Sequence, residues 1–265
     1  MHDPQRPDTW SGAEYAQHSS LQEAMAAQVI ALLDLRGDEH VLDIGCGDGR
    51  ISARIAEQLV PRGSVCGCDA SADMIGFARQ KHANVPNLRF IVADASQLRI
   101  DDRFDAVVSF NALHWVPQLL PALREMRAVL LPGGHAWLRL VTHGPVVSIE
   151  AVAEQARRDA EWAPHFTRFE DPYLRLEPQQ VETQALSAGL HVLSSHTRLE
   201  SWDFGSRAAL FGFCSAGFGA WTLRLPEDRR DAFVGAVLDR YLATRKDVSP
   251  TVFRYYQTDL ALAVA

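Results

Sequence analysis

Val41-Leu42-Asp43-Ile44-Gly45-Cys46-Gly47-Asp48-Gly49-Arg50 is the stretch whose reading decides the fold. It reads as a short apolar strand that runs into a glycine-rich turn and straight on into a helix. Val41, Leu42 and Ile44 are residue types suited to a strand buried on both faces. Gly45, Gly47 and Gly49 recur at every second position. Lacking a Cβ, they can take positive φ and leave bare backbone against which a ligand can lie. Ile51, Ile55 and Leu59, with Ala53 and Ala56 between them, then form a helical stripe. The start of that helix is expected to offer a ligand free N–H groups.

Outward from this stretch the chain alternates. Residues 1–9 are polar, and Trp10 to Leu35 has a helical pattern that Gly37 should end. After the glycine turn, Ser64 to Cys68 reads as a strand closed by Asp69. Ser71 can cap a helix running to His82. Leu88 to Val92 is a third strand, ending at Asp94, and Phe104 to Phe110 a fourth. A helix from about Gln118 to Leu131 should stop before Pro132-Gly133-Gly134, and His135 to Val141 is a fifth strand. Beyond Gly144-Pro145 the rhythm breaks into helical and irregular segments. Leu190 to Phe204 and Val252 to Val264 are two further strands, separated by a helical insertion. Regular alternation of strand and helix argues for a mostly parallel sheet covered on both faces, with ligands at the carboxyl ends of the strands. The expected class is α/β, with a Rossmann-like seven-stranded sheet and helical lid insertions. The expected organisation is an N-terminal helical arm over the site (1–36), a core (37–144), and a C-terminal half that completes the sheet (145–265).

Size and composition narrow the function classes. With 265 residues, 47% of them hydrophobic, the chain can bury a large core. A net charge of −7 disfavours a nucleic-acid partner, which would want a basic face. Cys46, Cys66, Cys68 and Cys214 form no C-x-x-C pair, so zinc and redox chemistry are not indicated, and buried thiols in a reducing compartment are expected. No His, Asp or Glu set has metal-ligand spacing. The sequence contains no apolar run approaching a membrane span, so a cytoplasmic protein without a membrane partner is expected.

Chemistry concentrates at the strand ends. The glycines run G-x-G-x-G, whereas the dinucleotide fingerprint is G-x-G-x-x-G. Asp43 in the strand end would repel a pyrophosphate but suits a cationic ligand. Asp69, about twenty residues beyond the turn, can accept hydrogen bonds from both hydroxyls of a ribose, although a helix-capping carboxylate would look the same. Asp94-Ala95 closes the third strand, where a plain turn aspartate is the simpler account. Asn111-Ala112-Leu113-His114-Trp115 follows the fourth strand.

Together these motifs, over residues 41 to about 141, resemble the class I S-adenosylmethionine-dependent methyltransferases. The resemblance implies S-adenosylmethionine as methyl donor and S-adenosylhomocysteine as product, with no metal. It implies that Asp43, Gly45, Cys46 and Gly47 hold the methionine end and ribose. Asp69, Ala70 and Met74 would hold ribose and adenine, Asp94 and Ala95 the adenine, and the Asn111 backbone the amino-acid part. Nucleic-acid amino methylases carry an Asn/Asp-Pro-Pro-aromatic tetrad after strand four. This chain has Asn111-Ala112-Leu113-His114 there, which argues against base methylation.

A narrower resemblance lies outside the core. Tyr15-Ala16-Gln17-His18-Ser19-Ser20-Leu21-Gln22, Phe110 to Trp115 and Arg168-Phe169-Glu170-Asp171-Pro172-Tyr173 are similar to juvenile hormone acid methyltransferases. Trp221 before Leu225-Pro226-Glu227 is similar to trans-aconitate methyltransferases. Both groups esterify carboxylates of small molecules, and the resemblance implies that Gln22 and Trp115 hold the carboxylate. A carboxylate is ionised at neutral pH and needs no general base, only orientation and a dry site. Two neutral N–H donors orient it without blunting it as an arginine clamp would. Simpler accounts are a surface Gln22, a core Trp115 and a structural His114. Should His114 act as a base, the acceptor would instead be a phenol or amine. Arg139, Arg168 and Arg175 are candidates for binding a second anion. The expected acceptor is a small organic acid. The alternatives are N-, C- or phenol O-methylation and a non-catalytic binding protein on the same fold.

Overall fold

The computed structural model describes residue 25 and residues 28–171, 173–245 and 249–264. Seven strands form one sheet in the order β3-β2-β1-β4-β5-β7-β6. They are β1 (His40–Ile44), β2 (Ser64–Asp69), β3 (Leu88–Val92), β4 (Phe104–Phe110), β5 (Leu130–Thr142), β6 (His191–Asp203) and β7 (Val252–Ala263). All run parallel except β7, which pairs antiparallel with both β5 and β6.

The pleat of β1 explains why its sequence is apolar on both sides. Leu42 and Ile44 pack with Val107, Leu123 and Met126 on one face of the sheet. Val41 faces the other way, into a cluster with Val29, Ile55 and Val108. A third cluster, around Trp162, Leu210, Trp221 and Phe233, fills the C-terminal half. Helix α1 (Arg50–Arg54) passes into a π-helical turn at Ile55–Leu59, where the Val60 N–H reaches the Ile55 carbonyl at 2.9 Å. Such a turn strands carbonyls. Asn87 Nδ2 answers by donating to the carbonyls of Ala56 and Val60, at 3.0 Å each.

Helix α2 (Ala72–Lys81) is capped by Ser71 as expected, its Oγ accepting from the Met74 N–H at 3.1 Å. Two boundaries differ from the sequence reading. The first helix is in a turn by Ala31, well short of Gly37. Gly37, at φ +106°, instead donates its N–H to the buried Glu39 carboxylate at 2.9 Å. Helix α3 (Leu119–Val129) stops two residues early, because Leu130 already pairs with Phe104. Pro132-Gly133-Gly134 is therefore an irregularity within the span of β5, looping out between the Phe104–Leu130 and Ala106–His135 pairs.

Candidate active site

The glycine turn lies at the carboxyl tip of β1, and all three of its glycines have positive φ, at +73°, +55° and +76°. A Cβ on Gly45 would fall 2.1 Å from the Ala112 Cβ, so the loop after β4 admits only a glycine here. The amides of the turn itself are engaged within the protein. Gly45 and Cys46 both donate to the Cys68 carbonyl, at 2.7 and 3.0 Å. Gly47 donates to Asp69 Oδ2 at 3.0 Å, Gly49 to the Cys46 carbonyl at 3.0 Å, and Arg50 to Asp48 Oδ1 at 3.2 Å. With these five amides engaged and two carboxylates brought up to the turn, a pyrophosphate would meet like charge. A cation or a sugar hydroxyl meets hydrogen-bond acceptors.

Each acid is positioned by the chain around it. Asp69, half-buried, bridges the turn and the next helix, with its Oδ1 accepting from the Ser71 N–H at 2.9 Å. Ala70 beside it is exposed, and Met74 is buried beneath Gly47, its Cε 3.3 Å from where a Gly47 Cβ would be. Asp43 lies behind the turn at 2% exposure, accepting from the Ser52 hydroxyl at 2.6 Å. Burial pushes its carboxyl up to about 7, and the nearby Asp69 charge adds to the effect. Burial also pushes Asp48 upward, but the Lys81 hydrogen bond at 2.7 Å and the Arg50 charge outweigh it and hold the carboxyl below its ordinary value. The Cys46 thiol is raised by burial and by Asp43 and Asp69, so it stays neutral. Asp94 makes a local turn, its Oδ1 accepting from the Ser96 N–H at 2.8 Å, and Ala95 packs on the main core.

Between the turn and the C-terminal half lies a cavity of about 190 Å³. Gly45, Cys46, Gly47 and Asn111 line it from the core, together with His114 and Trp115. Asn111 takes φ +58°, its N–H donates to the Arg139 carbonyl at 2.8 Å, and its Oδ1 is buried with no partner. Such an orphaned acceptor in a residue that lines the cavity fits a ligand bearing an ammonium group. The residues present thus fit S-adenosylmethionine, which has a sulfonium, an ammonium and a ribose.

His114 is buried, and its Nδ1 accepts from the Val141 N–H at 3.2 Å. The proton therefore sits on Nε2, and desolvation depresses the imidazole to about 3. In this arrangement the ring is a neutral donor, which removes the basis for reading it as a general base. Trp115 stands edge-on to Tyr173, with centroids 4.9 Å apart. Gln22 and most of the N-terminal arm lie outside the described residues. Met25 lines the cavity, and Gln28 Oε1 accepts from Arg139 Nη1 at 3.2 Å.

Arg139 is not a site for a second anion. It is 1% exposed and forms a bidentate pair with Asp259, at 2.6 and 2.9 Å. Arg175 is paired with Asp171. The aromatics of 162–173 and 202–221, expected from the sequence to form a lid and apolar pocket wall, divide: Trp162 and Phe166 are core, whereas Tyr173, Phe213 and Phe218 reach the cavity. Sequence reasoning missed Glu150, Phe253 and Tyr255 as cavity residues. Only the alternation of aromatics in β7 could have hinted at them. Among the described residues no group of three could hold a metal, and no helix is long and apolar enough to cross a membrane.

Comparison with known proteins agrees with this geometry. Residues 41–134 match the family described as methyltransferase domain. A protein of Invertebrate iridescent virus 6 bearing a methyltransferase name is 25% identical over 92% of this chain and 89% of its own length. Trans-aconitate 2-methyltransferase of Deinococcus radiodurans is 35% identical over 48% of this chain and 47% of that protein. Juvenile hormone acid O-methyltransferase of Drosophila melanogaster is 29% identical over 57% and 53%. The chain thus spans about half the length of these last two relatives. Among solved structures, a protein of Bacillus halodurans bearing a methyltransferase name has a TM-score of 0.62 at 17% identity, covering 91% of this chain and 98% of that one. A phosphoethanolamine N-methyltransferase of Haemonchus contortus, solved with S-adenosylhomocysteine, scores 0.63 at 14% identity and covers 96% and 56%. Residues 41–134 are thus a methyltransferase domain, set in the class I S-adenosylmethionine-dependent methyltransferase fold. Over about half its length the chain is similar to the juvenile hormone acid and trans-aconitate enzymes.

Proposed function

We propose that this protein methylates a carboxylate oxygen of a small organic acid by direct in-line transfer, giving a methyl ester and S-adenosylhomocysteine. The observation that carries this reading is His114. Its Nδ1 is taken by the Val141 N–H, its Nε2 keeps a proton, and burial holds it neutral down to about pH 3. A site whose histidine cannot take a proton suits an acceptor that has none to lose.

Bound at the strand tips, S-adenosylmethionine would supply an electrophilic methyl on a sulfonium. Asp43, Gly45, Cys46 and Gly47 would hold its methionine end and ribose. Asp69, Ala70 and Met74 would hold ribose and adenine, with Asp94 and Ala95 at the adenine. Asn111 would meet the ammonium. Gln22, Trp115 and the His114 Nε2–H would orient the acceptor carboxylate as neutral donors, leaving it nucleophilic. The apolar wall would exclude water, which favours mutual neutralisation of sulfonium and carboxylate. Residues 1–36 would close over the site as an arm, the 37–144 core would hold the donor, and 145–265 would shape the acceptor pocket. The four free, buried cysteines are consistent with a reducing cytoplasm.

Purified protein, methyl-labelled donor and a panel of organic acids test the reading. The expected product is an alkali-labile ester that releases labelled methanol. An alkali-stable ether or N-methyl product would overturn it. His114→Ala should lower kcat/KM about tenfold without removing a base-type limb from the pH profile, whereas His114→Gln should restore part of the rate. Loss of such a limb on mutation would return His114 to the role of base.

A further inference from the structure

The C-terminal half brings one carboxyl, Glu150, and two phenols, Tyr173 and Tyr255, to the cavity, and the donor chemistry uses none of them. Glu150, at the start of the helix Ile149–Ala156, lines the cavity and is reached through it, although protein atoms surround the side chain. Burial raises its carboxyl above the ordinary range against the opposing pull of its own N–H, the Ser148 hydroxyl and the Arg175 charge. Tyr173 lines the same cavity, packed at 5.1 Å from His114 and edge-on to Trp115. Its hydroxyl is buried and has no hydrogen-bond partner. Arg175 ties the two together, because its Nη2 donates to the Glu150 carbonyl at 3.1 Å and its guanidinium sits 5.5 Å over the Tyr173 ring. A buried phenol without a partner is costly to keep unless something else satisfies it.

We propose that the acceptor carries, away from the atom that receives the methyl, a hydroxyl group that donates to Glu150 and accepts from Tyr173. This rests on the carboxylate reading and names the substrate class as a hydroxy acid. The pair offers one acceptor and one donor, and a hydroxyl completes both. An ammonium would donate to both and leave the phenol proton stranded. A second carboxylate would face Glu150 in a dry site. The flanking walls at Ile149, Phe213 and Phe253 are apolar, so the rest of the acceptor is hydrocarbon.

The test uses medium-chain aliphatic acids in matched sets: plain, singly hydroxylated along the chain, and amino-substituted at the same carbons. Ester formation is measured for the wild type, Glu150→Gln and Tyr173→Phe. For at least one hydroxyl position the wild type should prefer the hydroxy acid over its plain partner by about tenfold or more in kcat/KM. Both variants should bring that ratio towards one, mainly by raising KM for the hydroxy acid, and should still esterify the plain acid. Thermal melting checks that each variant folds, and Glu150→Gln alone decides the matter if Tyr173→Phe does not. Equal rates on plain and hydroxylated acids, a preference for the amino acids, or equal losses on both partners in the variants would each overturn the inference alone. Donor binding with no ester from any acid would overturn the carboxylate reading and this inference with it.

Discussion

The core at 37–144 and the half that follows it are built by different rules. In the core, every element that touches the donor seat follows directly on a strand, and the seat is made of contacts between consecutive strand tips. Asp69 reaches Gly47 across one parallel pair, and Gly45 meets Ala112 across the next. In the later half, the cavity wall comes from residues as far apart as Glu150, Phe213 and Tyr255. In the proposed reading, local chain chemistry fixes the donor seat and long-range packing fixes the acceptor wall.

The joint between the two regions should be the most sensitive point. Arg139 on β5 and Asp259 on β7 are both largely buried and paired in bidentate fashion. Asp259→Asn strands a buried guanidinium and should cost about 3–5 kcal/mol in denaturant unfolding. A change under 1 kcal/mol would mean that the halves are joined elsewhere. Gly45→Ala comes next, since the new Cβ would collide with Ala112 at a φ of +73°. Its expected cost is about 2–3 kcal/mol, with donor binding lost in calorimetry. Normal donor affinity would show that the turn can re-form.

Asp69→Ala should weaken the donor by about 1–3 kcal/mol while leaving acceptor preference alone, because the lost carboxylate also orders Gly47 and Ser71. Unchanged affinity removes Asp69 from the seat.

Two buried groups, one at the donor seat and one at the acceptor wall, oppose each other in pH. Asp43 is raised from 3.8 to about 7, so its proton belongs to the folded state. That stability is complete below about pH 4 and is lost as pH rises through 7. His114 is lowered from 6.5 to about 3, so its contribution is complete above 6.5 and is lost as pH falls towards 3. Between about pH 4 and 6.5 the two slopes offset each other. Asp43→Asn should expose the histidine slope, with stability falling by about 1 kcal/mol per pH unit on acidification. A variant as flat as the wild type in thermal melts would refute this. The smallest effect belongs to the later half, where a Cβ on Gly235, inside the helix Glu227–Ala243, would touch nothing within 4 Å. Gly235→Ala should stabilise by about 0.5–1 kcal/mol with no change in activity.

The same contrast explains what could be read from the residues alone. β3 and β4 end where the sequence places them, because apolar runs followed by Asp, Asn or Gly mark strands in a covered parallel sheet. The end of α3 was misplaced because Leu130 looks helical until its pairing with Phe104 is known. Nothing local says that Asp69, on the neighbouring strand, claims one of the amides of the glycine turn. Arg139 looked like an anion site because its partner is 120 residues away. Glu150 carries no local mark, and only the folded chain brings it to the same cavity as Tyr173.

β7 is the last of the seven strands in the chain, yet it sits between β5 and β6. It also carries Phe253 and Tyr255, which wall the cavity. The cavity wall is therefore complete only when β7 fills the gap between β5 and β6, so the last of these strands to be made completes the pocket.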